Sequence, residues 1–294
     1  MPADIRDRPT IDHDDVTALN FINSACPYLF RKHFRQGLRS HIMEILDPAD
    51  VAREQTGTLV DGQRRFPRAA PRRMLRIFRS RLHTLDSALK EIGRVKLVER
   101  YLAPDCMAAS TECIVEYRRP GGSDLLLCGF QDVVRGEVLD PWSLLESRDL
   151  LAALHAAVCQ PDPATASSLG EWTGRVRKSG VDFIRRIKRM IAEVGHVPDL
   201  AGVGNLFVTA GGGIRLVDIN NICAVRFDSA IHLDEKGYPV CDKSVEALFL
   251  IEKKLLGGPV DRRERVYRWF LNPERRKAVK KSEASFWDTK AAAT

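Results

Sequence analysis

Nowhere in the 294 residues is there a run approaching the roughly 18–20 uncharged apolar positions that a bilayer-crossing helix needs. The opening MPADIRDRPTIDHDD lacks the apolar centre of a secretory signal, so the chain reads as cytoplasmic. Cysteine is sparse. The seven residues Cys26, Cys106, Cys113, Cys128, Cys159, Cys223 and Cys241 are odd in number and never spaced C-x-x-C. This speaks against a disulfide framework or a structural zinc site, and for reduced thiols serving as small apolar fillers. Internal repeats are absent as well. What is present suits a globular chain of one two-lobed unit or two small domains, with 44% hydrophobic and 29% charged residues. The 46 Lys and Arg against 39 Asp and Glu leave +7, which fits phosphates, acidic lipid headgroups or nucleic acid without choosing among them.

Residues 1 to about 15, charged and without periodicity, read as a loose polar lead-in. The following ALNFINSACPYLFRKHFRQGLRSHIMEIL, residues 18–46, has apolar positions at helical intervals and predicts a basic amphipathic helix. From Ala52 to Arg73, glycine and proline punctuate short strands and turns. RMLRIF, residues 73–78, alternates like a half-buried strand, and Leu85, Ala88, Leu89, Ile92, Val95 and Val98 form one helical stripe over 84–102. ECIVEYRRPGGSDLLLCGFQDVVRGEVL predicts a hairpin. Helical texture then runs to Cys159, and a proline- and serine-rich loop leads to a helix over 181–194. A second hairpin (strands 206–209 and 214–217) and an apolar helix over 242–256 follow. The tail from 259 mixes basic and aromatic residues and is expected to dock as a helix with a frayed end. This order predicts an α+β chain: a small sheet-rich lobe joined to a helical lobe near Asp132–Trp142, with ligands favouring the cleft between them.

The second hairpin is bracketed by Asn205 and Asp218, thirteen positions apart, whose oxygens would meet at its open end. Magnesium prefers one or two protein oxygens completed by substrate phosphates, so the pair predicts a half-site for such an ion. Asp199, six residues before Asn205 on a loop after a helix, is placed to accept a proton from an attacking hydroxyl. Each has a plainer reading: Asn205 and Asp218 as turn residues, Asp199 as a turn former or cap.

Asp199, Asn205 and the run Asp218-Ile219-Asn220 together resemble the catalytic loop and Asp-Phe-Gly region of the protein-kinase-like superfamily, which includes aminoglycoside and other small-molecule kinases. The resemblance covers about residues 55 to 256. It implies an α+β, two-lobed fold: a small antiparallel-sheet N-lobe with one long helix, and a mainly helical C-lobe. It implies ATP and Mg2+ as cofactors, Asp199 as catalytic base and Asn205 and Asp218 as metal ligands. Arg76 stands for the phosphate-gripping lysine, with Glu91 (or Glu99) as its partner, and the backbone of Asp132 and Val134 would meet adenine. Asp242 resembles the aspartate that begins the buried helix, its plainer reading being an N-cap. The pattern is departed from in several places. Arginine replaces lysine at position 76, and six positions instead of five separate Asp199 from Asn205. Gly57 and Gly62 in TGTLVDG are the best remnant of the glycine-rich cover, and Asn220 replaces the motif glycine.

The domains so expected are an extension over 1–50, an N-lobe over 51–136, a C-lobe over 137–258 and a tail over 259–294. The expected function is an ATP-dependent phosphotransferase acting on a hydroxyl of a small molecule, sugar or glycolipid. Only 24 positions separate Asp218 from Asp242, too few for docking an extended peptide. The alternative is a pseudokinase that binds nucleotide or a protein partner. Peripheral membrane contact by the basic segments is a further reading, and nucleic acid is not an expected partner.

Overall fold

The computed structural model describes residues 4–23, 25–34, 39–119, 121–159 and 167–292. The fold is α+β and divides into two compact units, Met1–Gly93 with Ala108–Val133, and Arg94–Met107 with Val134–Thr294. An antiparallel sheet carrying one long helix, followed by a mainly helical unit, is the order expected of a kinase-like chain, and the likeness holds at that coarse level. The change of unit between Val133 and Val134 falls inside the expected connection. Among the described residues no helix is long and apolar enough to cross a membrane.

The first unit opens with α1 (His13–Thr17), β1 (Leu29–Lys32) and β2 (Ser40–Leu46). After α2 (Pro48–Thr56) come β3 (Thr58–Val60), β4 (Gln63–Arg65), β5 (Arg73–Phe78), α3 (Leu85–Leu102), β6 (Ser110–Arg119) and β7 (Gly122–Asp132). Five strands form one antiparallel sheet in the order β1-β2-β5-β7-β6. One face, with Met43, Ile45, Leu75 and Ile77, is covered by Ile5, Ile11, Val16 and Leu19. The other carries Phe78 and Leu127, against which Ala88 and Ile92 of α3 pack.

Two expectations for this region are corrected. The segment 18–46 is not an amphipathic helix but supplies two strands of the sheet. Six of the seven residues of β2 are buried, so its two-sided burial erases the alternation that marks a half-exposed strand. The polar lead-in is a strap, not loose chain. The Arg6 guanidinium pairs with Asp4 at 2.7 Å and Asp124 at 2.6 Å, and the Ile5 N–H donates to the Tyr117 hydroxyl at 3.2 Å. A boundary at residue 50 therefore cuts through this unit.

The second unit contains β8 (Glu137–Val138), α4 (Ser147–Val158), α5 (Leu169–Val194), β9 (His196–Pro198), β10 (Leu206–Val208), β11 (Ile214–Leu216) and β12 (Ile222–Ala224). Helices α6 (Val240–Leu256), α7 (Arg265–Phe270) and α8 (Pro273–Ala292) complete it. Its core gathers Trp172, Phe183 and Ile187 of α5 with Val245, Leu248 and Ile251 of α6 and Tyr267 and Phe270 of α7. Each such side chain stabilises by about 1.5–3 kcal/mol relative to exposure. Helix α5 begins twelve residues before the expected start, because Ser168 and Glu171 form a reciprocal capping box. The proline- and serine-rich loop falls largely on residues 160–166, outside the described residues. The C-terminal segment is two docked helices: Val266, Tyr267 and Phe270 enter the core, and Val279 of α8 is buried.

Candidate functional site

Strands β10 and β11 pair antiparallel with Leu206 opposite Leu216. Beyond that pair the Val217 N–H donates to the Asn205 carbonyl at 2.9 Å, so Asn205 and Asp218 lie at the open end of the hairpin. Strands β9 and β12 pair alongside, Pro198 opposite Ile222, and the Asp199 N–H continues the ladder to the Asn221 carbonyl at 2.7 Å. Two short ladders therefore fix the backbone at Asp199, Asn205 and Asp218 within one unit.

The extra residue between Asp199 and Asn205 is absorbed in a tight turn. One Asp199 oxygen accepts from the N–H groups of Ala201 at 2.9 Å and Gly202 at 3.2 Å, and the other from Asn221 Nδ2 at 3.1 Å. Asn205 Nδ2 donates to the Asp199 carbonyl at 2.9 Å, which leaves its Oδ1 without a hydrogen bond among the described residues. The Asn205 amide rests on Gly202: a Cβ there would come within 2.5 Å of Nδ2, so the position requires glycine for space. The Leu200 N–H donates to Ser244 Oγ of α6 at 3.2 Å, and the Ala201 carbonyl accepts from Trp142 Nε1 at 2.8 Å.

Desolvation, followed by the charge of Asp218, raises the Asp199 carboxyl from its ordinary value to about 6, against the pull of its three hydrogen bonds. Asp199 is half-buried. Neither Asp199 nor Asp218 has a Lys or Arg partner among the described residues. One Asp218 oxygen accepts from the Asn220 N–H at 3.3 Å, while Asn220 Oδ1 is buried without a partner among the described residues. Positive φ is not used at Asn220, so the tolerance of asparagine for that conformation plays no part there. The oxygens at Asn205 and Asp218 are hard donors of the kind magnesium takes. Among the described residues no group of three or more His, Cys, Asp and Glu side chains is placed to share a metal ion.

The remaining expected residues lie in different settings. Arg76, in β5, is 3% exposed, with Nη1 3.4 Å from Gln131 Oε1. It stands opposite Gly129, as does Glu112 on the far side of β7. Glu91 is half-buried on α3, the helix that covers the same sheet face. Glu99 pairs with Lys96 at 2.5 Å, within the second unit. Asp132 ends β7, with its N–H donated to the Ala109 carbonyl at 2.9 Å and its carboxylate 3.1 Å from Arg73. Val134, inside the expected connection, begins the longer segment of the second unit.

Gly57 and Gly62 lie at a two-stranded sheet distinct from the five-stranded one. Gly57 directly precedes the separate β3–β4 hairpin and Gly62 lies in its Asp61-Gly62 turn, which has φ of 50° and 75°. Asp242 is not an N-cap, since Pro239 holds that place. It is buried in an ion pair with Arg275 of α8 at 2.6 Å, and desolvation raises its pKa. Arg275 also donates to the carbonyls of Asp228 at 2.7 Å and Ala230 at 3.1 Å. His196 is structural, with Nδ1 2.6 Å from the Val194 carbonyl. Sequence reasoning missed Gly202, Asn221, Ser244 and Arg275. Only the G-V-G spacing before Asn205 offered a signal for any of them.

The sequence matches no family model and no curated protein.

Proposed function

We propose that the chain is a divergent kinase-like phosphotransferase that uses ATP and Mg2+ to phosphorylate a hydroxyl of a small-molecule, sugar or glycolipid acceptor. The observation that carries this reading is the locked Asn205 amide, tied by Nδ2 to the Asp199 carbonyl with its oxygen left over, beside two carboxylates that no cation of the described residues neutralises. Asn205 Oδ1 and the Asp218 carboxylate would hold the metal. Bound there with its metal, ATP would supply the phosphoryl group and part of the charge neutralisation that in-line transfer needs.

Asp199 would orient the acceptor hydroxyl and take up its proton at a carboxylate oxygen. A pKa near 6 leaves it mostly ionised at neutral pH yet more basic than an ordinary aspartate, which suits a general base.

One observation favours the non-catalytic alternative, a nucleotide- or partner-binding pseudokinase. Three donors already occupy the Asp199 carboxylate, so a substrate hydroxyl would have to share an oxygen with them.

A thermal-shift titration with ATP, with and without Mg2+, tests both readings. Metal-dependent stabilisation that disappears in Asp218→Ala supports the nucleotide site, and no shift at any ATP concentration rejects it. ATP turnover lost in Asp199→Asn then selects the enzyme. Stabilisation without turnover selects the pseudokinase.

A further inference from the structure

Beside α6 and the segment 258–262 that follows it, the second unit carries a cavity of about 370 Å³, within the size range of ligand pockets. Phe249, Leu250, Val260 and Leu271 give it an apolar lining, and Lys253, Arg262 and Arg276 stand around them. A smaller depression shares Arg276 and Leu271 with it and adds Lys280.

The acidic groups of this surface are neutralised from within the fold. Glu246 accepts Arg276 at 3.0 Å on one oxygen and Lys243 at 3.0 Å on the other, and Asp242 is held by Arg275. Lys253, Arg262 and Lys280 are exposed and have no carboxylate partner among the described residues. The Arg262 guanidinium lies 5.1 Å from the Phe249 ring centroid, over the apolar lining. Arg276, Lys280 and Trp287 recur at four and seven positions along α8, one stripe of a helix, and Trp287 is 50% exposed. From Ile251 onward the chain has 12 Lys and Arg against 6 Asp and Glu, so this segment holds +6 of the net +7.

Cations set directly beside apolar surface match an amphiphilic anion better than a small soluble one, and tryptophan beside lysine is the composition of a membrane interface. We propose that this groove is a docking site for an acidic phospholipid of a membrane surface. The headgroup phosphate meets Lys253 and Arg262, and the glycerol and first acyl methylenes rest on Leu250, Val260 and Leu271. The proposal is independent of phosphotransfer.

The test is co-sedimentation of the full chain with vesicles of equal parts phosphatidylglycerol and phosphatidylcholine, against vesicles of phosphatidylcholine alone. Binding is expected only to the anionic vesicles. Each cation near such a surface contributes about fivefold to partitioning, so Lys253→Gln with Arg262→Gln lowers it about 25-fold. Lys178→Gln with Arg185→Gln makes the same charge change on exposed positions of α5 and leaves binding nearly unaltered. Circular dichroism melts verify that both variants are folded. The proposal is overturned by equal losses in the two double variants, by absence of preference for anionic vesicles, by soluble glycerol phosphate binding as tightly as vesicles, or by RNA competing the vesicles away.

Discussion

At the scale of single residues, Asp199 and Gly202 set the character of the site. The raised Asp199 carboxyl binds its proton more tightly in the folded chain than in the unfolded one. Between the ordinary value near 4 and about 6 the folded state therefore holds more protons, and stability falls as pH rises through that window. The penalty, complete above it, is on the order of 3 kcal/mol. Asp199→Asn is thus expected to raise the melting temperature at pH 7, by about 2–4 °C per kcal/mol relieved, and to flatten the stability–pH curve between pH 4 and 6. A lower melting temperature for this variant would contradict the assigned desolvation. Any turnover should fall as pH drops through about 6. Gly202→Ala pushes the Asn205 amide off its seat, because the added carbon has no room beside Nδ2. It should cost about 1 kcal/mol for the lost hydrogen bond and remove the Mg2+-dependent part of any ATP shift, both readable in one thermal-shift series. The placement of Asn205 and Asp218 at the open end of one hairpin was legible because the two strands and their turn are local in the sequence. Asn221 and Ser244 were not, since their partners lie 22 and 44 residues away and nothing local marks such pairs.

At the scale of elements, α8 decides more than its composition suggests. Arg275 ties it to Asp242 of α6 and to two carbonyls of the loop after β12, while Glu283 accepts from the Tyr238 hydroxyl at 2.9 Å and pairs with Lys243 at 3.1 Å. Arg275→Met would leave the Asp242 carboxylate buried and alone, at a cost of about 3–5 kcal/mol. Urea denaturation should register the loss, and hydrogen exchange should show residues 228–232 opening faster. Unchanged exchange there would mean that the loop is held by other contacts. The docked helices were partly legible, through Tyr267 and Phe270, whereas the ion pairs along α8 were not, because a lysine- and arginine-rich helix reads as solvated. The β1–β2 pair was misread for the opposite reason. Burial on both faces of β2, with Ser40, His41 and Glu44 buried beside Met43, Ile45 and Leu46, leaves no strand alternation, and the spacing of its apolar residues also satisfies a helix.

At the scale of the whole molecule, the two units have separate cores, and all four tryptophans, at 142, 172, 269 and 287, fall in the second. Tryptophan fluorescence therefore follows the second unit, while far-ultraviolet circular dichroism follows both. Leu75→Ala, in the core of the first unit and 1% exposed, should destabilise that unit by about 2–5 kcal/mol. The dichroism transition is expected to shift to lower urea with the fluorescence midpoint nearly fixed, and coincident shifts would instead mean that the units unfold as one. The order of elements, and with it the coarse architecture, was legible because hairpins and long helices announce themselves by period. The division of α3, whose residues up to Gly93 group with the first unit and from Arg94 with the second, was not, because a single uninterrupted stripe carries no sign of where one core ends. The Arg275 clasp also has a temporal side. The ribosome makes Arg275 33 residues after Asp242, so a nascent chain that has already formed its Asp199 turn still carries a buried acid awaiting its counter-ion. A chain cut just before Arg275 is therefore expected to leave that carboxylate without its counter-ion, and limited proteolysis of such a truncation should find the segment around Asp242 more open than in the full chain.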